Sequence, residues 1–149
     1  MNTVDYNPVE ILIVEDNPQD AELTMRALKK LNIANHIMVA EDGEEALDII
    51  FSRGVYEARQ TLKPPKVIFL DLKLPKVSGL EILKEIKTNP ATKKIPVVVV
   101  TSSFEDLDIK AAYESGANGY VVKPVEFEAF SNSIIQTGIF WLTLNETPR

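Results

Sequence analysis

The chain has 149 residues, a formal net charge of −6 and hydrophobic residues at 45% of its positions, which fits one domain with a sizeable apolar core. It contains no cysteine, so disulfides, thiolate catalysis and cysteine-ligated zinc sites are excluded. The negative charge disfavours a general nucleic-acid-binding surface. The polar N-terminus is not typical of a signal peptide, and no apolar run is long enough to cross a bilayer. We therefore expect a cytoplasmic protein that binds neither nucleic acid nor membrane.

Short β-rich runs recur along the chain. Three of them, ILIV, VIFL and VVVV, are uninterrupted aliphatic or aromatic runs, which are typical of strands covered on both faces in a parallel sheet. The predicted strands are Ile11–Val14, His36–Ala40, Val67–Leu70, Val97–Thr101 and Gly119–Val122.

Helix signals alternate with these strands. The first helix combines an N-cap at Asn17 with a proline in its first turn and an early acid, Asp20. The fourth helix begins with a capping pattern at Ser103, and Gly116 can end it. The five predicted helices cover about residues 18–32, 43–52, 79–89, 104–115 and 125–144.

Five strand–helix units predict an α/β fold, in which a doubly wound five-stranded parallel sheet of order 2-1-3-4-5 carries five helices in the flavodoxin-like arrangement. We expect a single domain over residues 1–149, with a core from about 10 to 136 and a C-terminal helix that extends to about 145. The longest connection, Gly54–Pro65, is predicted to be a surface excursion. In such sheets the ligand crevice lies outside the carboxyl ends of the strands.

Polar side chains stand at four of these strand ends. Glu15 and Asp16 follow the first strand, Asp71 follows the third, Thr101 ends the fourth and Lys123 follows the fifth. Because the first and third strands are neighbours in the predicted order, the three acids would share one pocket. Close carboxylates repel one another unless a cation joins them. Hard oxygen ligands without histidine or cysteine favour Mg²⁺ or a similar cation such as Mn²⁺.

A magnesium ion held in this way is typical of phosphoryl chemistry. The Thr101 hydroxyl and the Lys123 ammonium could contact phosphoryl oxygens, and one of the carboxylates could be a nucleophile that forms an acyl phosphate.

At these positions the sequence resembles the receiver domains of two-component response regulators. The resemblance extends from about residue 10 to 136, with its motifs in order at successive strand ends. The matching motifs are Glu15-Asp16, Asp71-Leu72-Lys73-Leu74-Pro75-x-x-x-Gly79, Thr101-Ser102 and Tyr120-x-x-Lys123-Pro124.

The resemblance implies a phosphoacceptor and its metal ligands. Asp71 would accept a phosphoryl group from a histidine kinase. Asp16 would ligate Mg²⁺ directly, and Glu15 would act through water or as a partial ligand. The backbone carbonyl of Lys73 would complete the protein's share of the ligands. Such a protein is a stoichiometric phosphoacceptor that assists its own phosphorylation and dephosphorylation, and we do not expect an enzyme.

The resemblance also implies a conformational switch. Thr101 would hydrogen-bond the phosphoryl group and move towards it. Lys123 would pair with that group, or with Asp71 before reaction. Tyr120 would change rotamer in response, which would alter the face between the fourth strand and the fifth helix. In this family the Lys-Pro peptide bond is usually cis, so a cis bond is expected at Lys123–Pro124.

A closer resemblance concerns the small response regulators of cyanobacterial phytochromes. It rests on the overall pattern of TLKPPKVIFLDLKLPK, of IPVVVVTSS followed by EDLDI, and of a terminal FWLT. It implies a phytochrome as the partner kinase and signalling to an unknown downstream protein.

The fifth helix has more apolar residues than one buried face needs. Two stripes at helical spacing predict a homodimer through the fifth strand and fifth helix, although Trp141 could instead fold back onto its own core. The two stripes are Phe127, Phe130, Ile134 and Trp141, and Ile135, Ile139 and Leu142.

Three other functions are known for α/β folds of this kind. A magnesium-dependent phosphatase with an aspartate nucleophile needs a second aspartate two positions further on as general acid, and Lys73 stands there. An interaction module that only keeps the flavodoxin-like fold and is not phosphorylated would not need the full set of strand-end residues. An FMN-binding module of this fold would have a Ser/Thr/Gly-rich phosphate loop after the first strand. In a flavin site Glu15 and Asp16 would repel the phosphate.

Overall fold

The computed structural model describes residues 9–32, 36–59 and 63–146. Five strands alternate with five α-helices, as the sequence predicts. In chain order the elements are β1 (Ile11–Val14), α1 (Pro18–Leu31), β2 (Ile37–Ala40), α2 (Gly43–Ile50), β3 (Val67–Leu70), α3 (Gly79–Thr88), β4 (Val97–Thr101), α4 (Asp106–Glu114), β5 (Gly119–Val122) and α5 (Phe127–Ile139). A 3₁₀-helix, Gly54–Arg59, precedes β3, and a π-helix, Phe140–Leu144, follows α5.

The strands form one parallel sheet in the order β2-β1-β3-β4-β5, which confirms the predicted doubly wound, flavodoxin-like fold. The register aligns the carboxyl ends of β1 with β3 and of β4 with β5. Val14 pairs with Leu70, and Thr101 pairs with Val122. Residues that directly follow these strands therefore emerge side by side at one edge.

Apolar packing covers both faces of the sheet. Every residue of β1, β3 and β4 is buried. Alternate residues of these strands pack against α2 and α3 on one face and against α1 and α5 on the other. This two-sided burial explains the continuous aliphatic runs, and it holds the carboxyl ends of the strands in fixed positions.

Local side-chain bonds mark where three of the helices begin. At α2 the Asp42 carboxylate accepts a hydrogen bond from the Glu45 N–H at 2.8 Å. The Asn17 side chain caps α1, and the Ser78 hydroxyl accepts a hydrogen bond from the Glu81 backbone N–H at 3.2 Å at the start of α3. The predicted cap at Ser103 is wrong. Helix α4 begins after Glu105 without a side-chain cap. The Ser103 hydroxyl donates to the carboxylate of Asp108 and accepts a hydrogen bond at 3.4 Å from the Glu105 N–H, which lies before the first turn of the helix.

The C-terminal helix packs onto the sheet along part of its apolar surface. Phe130 and Ile134 are buried, whereas Phe127, from the same predicted stripe, is 60% exposed. Trp141 packs against the core beneath α1 and α5, so in this structure it folds back onto its own chain. Ile139 remains 40% exposed. In the three ranges that the structure describes, no helix is long and apolar enough to span a membrane.

Candidate functional site

The sheet's hydrogen-bond ladder extends one residue beyond β1 and β3 and fixes two acids. The Glu15 N–H donates to the Ala40 carbonyl at 3.0 Å, and the Asp71 N–H donates to the Val14 carbonyl at 3.1 Å. Carboxylate oxygens of Glu15, Asp16 and Asp71 all lie within 4.8 Å of one another. The structure therefore brings together the three acids that the strand order predicts to meet.

The three acids differ in exposure. Glu15 and Asp71 are 5% and 8% exposed, whereas Asp16 faces solvent. Two acids therefore form the wall of the pocket, and the third stands at its entrance.

Lys123 places its ammonium group among these carboxylates. Its Nζ atom donates to Asp71 Oδ2 at 2.9 Å, to Asp20 Oδ2 at 3.2 Å and, at close range, to Glu15 Oε1. The Lys123 side chain is only 9% exposed. Its backbone N–H donates to the Thr101 carbonyl at 2.7 Å, which continues the β4–β5 ladder and aims the side chain across the sheet's edge.

Burial and charge act against each other within this cluster. Burial raises the pKa of Glu15 to about 7, and the nearby charge of Asp71 adds to the rise, while the hydrogen bond from Lys123 opposes it. Burial alone would lower the pKa of Lys123. The hydrogen bonds and negative charges of Glu15 and Asp71 outweigh that effect and hold this pKa above its ordinary value, so Lys123 stays protonated.

The donor set of the pocket fits a hard divalent cation. Oxygens on adjacent corners of an octahedral Mg²⁺ site lie about 3 Å apart and opposite ones about 4.2 Å, as follows from Mg–O distances of about 2.1 Å. The carboxylate oxygens here span up to 4.8 Å, so small side-chain rotations would close them onto such an ion. A bound ion would replace part of the contact that Lys123 makes with Glu15 and Asp71.

Thr101 carries a hydroxyl whose partner is missing in the described parts of the chain. The residue is fully buried, and its Oγ1 atom makes no hydrogen bond there. Buried hydroxyls are nearly always paired, so an unpaired one at the end of β4 needs an explanation. An incoming acceptor, such as a phosphoryl oxygen, would supply the partner.

Tyr120 ties β5 to the loop after β4. Its hydroxyl donates to the Ser103 carbonyl at 2.9 Å, and its ring packs beside Leu72 and Val99. Burial raises the pKa of this phenol. The Tyr120 side chain therefore holds the segment that follows Thr101. A movement of that segment would change the contacts of Tyr120.

The loop after Asp71 is held close to it by a glycine. The Gly79 N–H donates to the Leu72 carbonyl at 2.9 Å, and a Cβ atom at position 79 would lie 2.2 Å from the Asp71 carbonyl oxygen. The Lys73 N–H donates to Asp71 Oδ1 at 3.3 Å. This backbone contact orients the carboxylate, and the ligand role of the Lys73 carbonyl stays a prediction.

One expectation drawn from the family resemblance is wrong. The described residues contain no cis peptide bond, so the Lys123–Pro124 bond is trans. The trans form is intrinsically favoured before proline, by about 0.5–1 kcal/mol. In this isomer the Lys123 side chain already reaches Glu15 and Asp71, so the contacts do not require the cis form.

Sequence reasoning missed Asp20 as a member of the site. The sequence identifies this residue only as an acid in the first turn of α1. Its contact with Lys123 joins residues that are 103 positions apart, and no local pattern reveals it. The available signal is the short connection between β1 and α1, because it keeps the first turn of α1 close to the end of β1.

The fold and the site together define a doubly wound α/β protein with an acidic, cation-compatible pocket and a buried lysine at its carboxyl edge. The response regulator receiver domain model matches residues 11–135, and the chain belongs to this family.

Several relatives align over nearly the whole chain. The response regulator Rcp1 of Synechocystis sp. is 38% identical over 91% of this chain and 90% of its own length. The probable methanogenesis regulatory protein FilR2 of Methanothrix harundinacea is 39% identical over 95% of this chain and 89% of its own length.

Solved structures of relatives share the fold closely. The Mn²⁺-bound form of Rcp1 superposes with a TM-score of 0.88 at 37% identity, covering 95% of this chain and all of that one. The phosphorylated cyanobacterial phytochrome response regulator RcpA also has a TM-score of 0.88, at 33% identity, covering 96% of this chain and all of that one.

Proposed function

We propose that this protein is a cytoplasmic response regulator that accepts a phosphoryl group on Asp71 from the phosphohistidine of a histidine kinase. The observation that carries the proposal is the pairing of a buried aspartate at the end of β3 with two further acids and the ammonium of Lys123. Glu15, Asp16 and Asp71, together with the Lys73 carbonyl, would hold Mg²⁺ or Mn²⁺. When bound, this cation supplies positive charge that offsets the charge of the transferring group.

The chain's own residues account for the transfer. A carboxylate oxygen of Asp71 attacks the phosphorus atom, the new O–P bond forms, and the P–N bond to the donor histidine breaks with its electron pair returning to the imidazole. Lys123 already donates to Asp71 at 2.9 Å, and it moves onto a phosphoryl oxygen as charge accumulates there. Thr101 donates its unpaired hydroxyl to another phosphoryl oxygen.

The switch follows from the same contacts. Movement of Thr101 towards the phosphoryl group displaces the loop that the Tyr120 hydroxyl holds at Ser103. Tyr120 then changes rotamer, and the face formed by β4, α4, β5 and α5 is altered. This face presents the change to a downstream protein.

The proposed kinase is a phytochrome. The support is the similarity to RcpA, a cyanobacterial phytochrome response regulator, at 33% identity. FilR2, a probable methanogenesis regulatory protein, reaches a similar identity, so sequence similarity does not single out a phytochrome. The choice of kinase is therefore tested by itself. Phosphotransfer from a purified phytochrome histidine kinase should exceed transfer from an unrelated histidine kinase at equal concentration. Equal transfer from both kinases would remove the phytochrome assignment.

The protein is also proposed to form a homodimer through β5 and α5. Val122, Phe127 and Ile139 on this side are exposed in the single chain. Sedimentation velocity should show a dimer that Ile139→Glu converts to monomer. A monomer at every concentration, with and without phosphorylation, would contradict this part of the proposal.

The phosphoacceptor assignment is tested with a small phosphodonor. The protein is incubated with acetyl phosphate and Mg²⁺, and its intact mass is measured. A single phosphoryl addition is expected, and it should be lost in Asp71→Asn and absent when the cation is chelated. Labelling of Asp71→Asn at unchanged yield would refute the site.

A further inference from the structure

Asp20 touches the ammonium of Lys123 but stands outside the group of acids that could share a metal ion. Its Oδ2 atom accepts a hydrogen bond from Lys123 Nζ at 3.2 Å, and its side chain is 32% exposed. Among the described residues, the acids whose oxygens meet at the pocket are Glu15, Asp16 and Asp71, without Asp20. Lys123 therefore has three carboxylate partners, of which two would also serve the cation.

Lys123 needs a carboxylate whether or not the cation is bound. Its side chain is 9% exposed, so water cannot fully replace a lost partner. A divalent cation bound to oxygens of Glu15 and Asp71 would repel the Lys123 ammonium. It would also neutralise the carboxylate charge that now stabilises this ammonium. Because the cation does not need Asp20, this residue remains available as a carboxylate partner for Lys123.

The start of α1 holds Asp20 in place through its backbone. The Asp20 N–H donates to the Asn17 side chain at 3.2 Å, and its carbonyl accepts a hydrogen bond from the Thr24 hydroxyl at 2.8 Å. These contacts leave the carboxylate for Lys123. An acid at this position also favours the helix N-terminus electrostatically, so a test must separate the two effects.

We propose that Asp20 is a positioning residue that retains Lys123 when Glu15 and Asp71 bind the divalent cation, and that it thereby strengthens cation binding. The inference rests on the proposed function and deepens it. With Asp20 as its partner, Lys123 stays beside Asp71 without occupying the oxygens that the cation needs. From there it is poised to move onto the phosphoryl group.

A double-mutant cycle on Mg²⁺ affinity tests this role. Dissociation constants are measured by isothermal titration calorimetry for the parent, Asp20→Asn, Lys123→Met and the double variant. Asp20→Asn should weaken Mg²⁺ binding by about fivefold to tenfold in the parent, because Lys123 then remains on Glu15 and Asp71. In the Lys123→Met background the same change should alter the affinity by less than about twofold.

The matched control is Glu22→Gln in the same helix. Glu22 is 62% exposed and pairs with Arg26 at 2.7 Å, so this change removes an equal charge without touching the site. It should leave Mg²⁺ affinity within about twofold of the parent. Circular dichroism checks that each variant is folded, and Lys123→Gln replaces Lys123→Met if the latter does not fold.

Two results would overturn the proposal. An equal loss in both backgrounds would mean that Asp20 acts on the cation directly and not through Lys123. An unchanged or stronger affinity in Asp20→Asn alone would mean that it does not help to retain Lys123. Neither measurement uses a phosphodonor, so failure here is separable from failure of the phosphoacceptor assignment, which the labelling of Asp71 decides.

Discussion

Lys123 and Asp71, which are 52 positions apart in the chain, are joined by a hydrogen bond of 2.9 Å at the carboxyl edge of the sheet. The contact is possible because β3 and β5 flank β4 in a fixed parallel register. It places the Lys123 ammonium against the proposed nucleophile, where it can stabilise negative charge that develops during transfer.

Replacement of Lys123 should separate phosphorylation from cation binding. Lys123→Met is expected to slow phosphorylation by acetyl phosphate about a hundredfold, because a prepositioned donor to the phosphoryl group is lost. Mg²⁺ affinity should rise, because the ammonium no longer competes for Glu15 and Asp71. The phosphorylation rate is measured by intact mass at quenched time points, and Mg²⁺ affinity is measured by calorimetric titration.

Lys84→Met is the control for that variant, because Lys84 lies on the exposed face of α3. It should change neither the rate of phosphorylation nor the Mg²⁺ affinity. A Lys123→Met protein that is phosphorylated at the parent rate would show that the ammonium plays no part in transfer.

Thr101→Val should stabilise the unphosphorylated protein or leave its stability unchanged. The variant keeps the shape of the side chain and removes a buried hydroxyl that has no partner in the described structure. We expect a gain of up to ~1 kcal/mol in the free energy of unfolding, measured by urea denaturation. The phosphorylated form should lose stability relative to the phosphorylated parent, because the proposed bond to the phosphoryl group is absent.

Thr92→Val provides a matched control. Thr92 is also buried, but its hydroxyl donates to the Ile86 carbonyl at 2.7 Å. Its replacement should cost about 1 kcal/mol in either phosphorylation state. Equal losses for the two threonine variants without phosphorylation would mean that the Thr101 hydroxyl is already paired.

Removal of the Tyr120 hydroxyl should loosen the segment after β4. Tyr120→Phe keeps the ring and deletes the hydrogen bond to the Ser103 carbonyl, with an expected cost of about 1 kcal/mol. Hydrogen exchange of residues 102–105 should become faster. Tyr113→Phe, at a side chain that is 51% exposed, should leave exchange in this segment unchanged. If both variants behave alike, Tyr120 does not hold the loop.

The close approach at Gly79 predicts a severe effect of a single methyl group. A Cβ atom there would lie 2.2 Å from the Asp71 carbonyl oxygen, so Gly79→Ala should displace the backbone at Asp71. We expect a loss of ~2–3 kcal/mol in thermal or urea unfolding and slower phosphorylation. At Gly119 the added atom would meet nothing nearer than 3.6 Å, and Gly119→Ala should remain within ~1 kcal/mol of the parent. A tolerated alanine at position 79 would contradict the geometry.

The sequence predicts the sheet well because its strands are buried on both faces. Continuous aliphatic runs define β1, β3 and β4, and the commonest arrangement of five strand–helix units gives their order. The meeting of Glu15, Asp16 and Asp71 follows from that order alone.

Other features depend on contacts that a local pattern does not contain. Ser103 has the composition of a helix cap, but its hydroxyl donates to Asp108, which lies in the helix that it was expected to cap. Asp20 looks like an ordinary first-turn acid until the fold brings Lys123 to it across 103 positions. The missing partner of Thr101 and the packing of Trp141 likewise become visible only when the surrounding side chains are placed.

The assignment of Asp71 as phosphoacceptor is tested most directly by locating the phosphoryl group after transfer from a phosphorylated histidine kinase in the presence of Mg²⁺. Borohydride reduction of the product, followed by proteolysis and tandem mass spectrometry, identifies the modified aspartate by its conversion to homoserine. We expect homoserine at position 71 and at neither Asp16 nor Asp20. Modification of another residue, or none under conditions in which the kinase phosphorylates a known receiver domain, would contradict it.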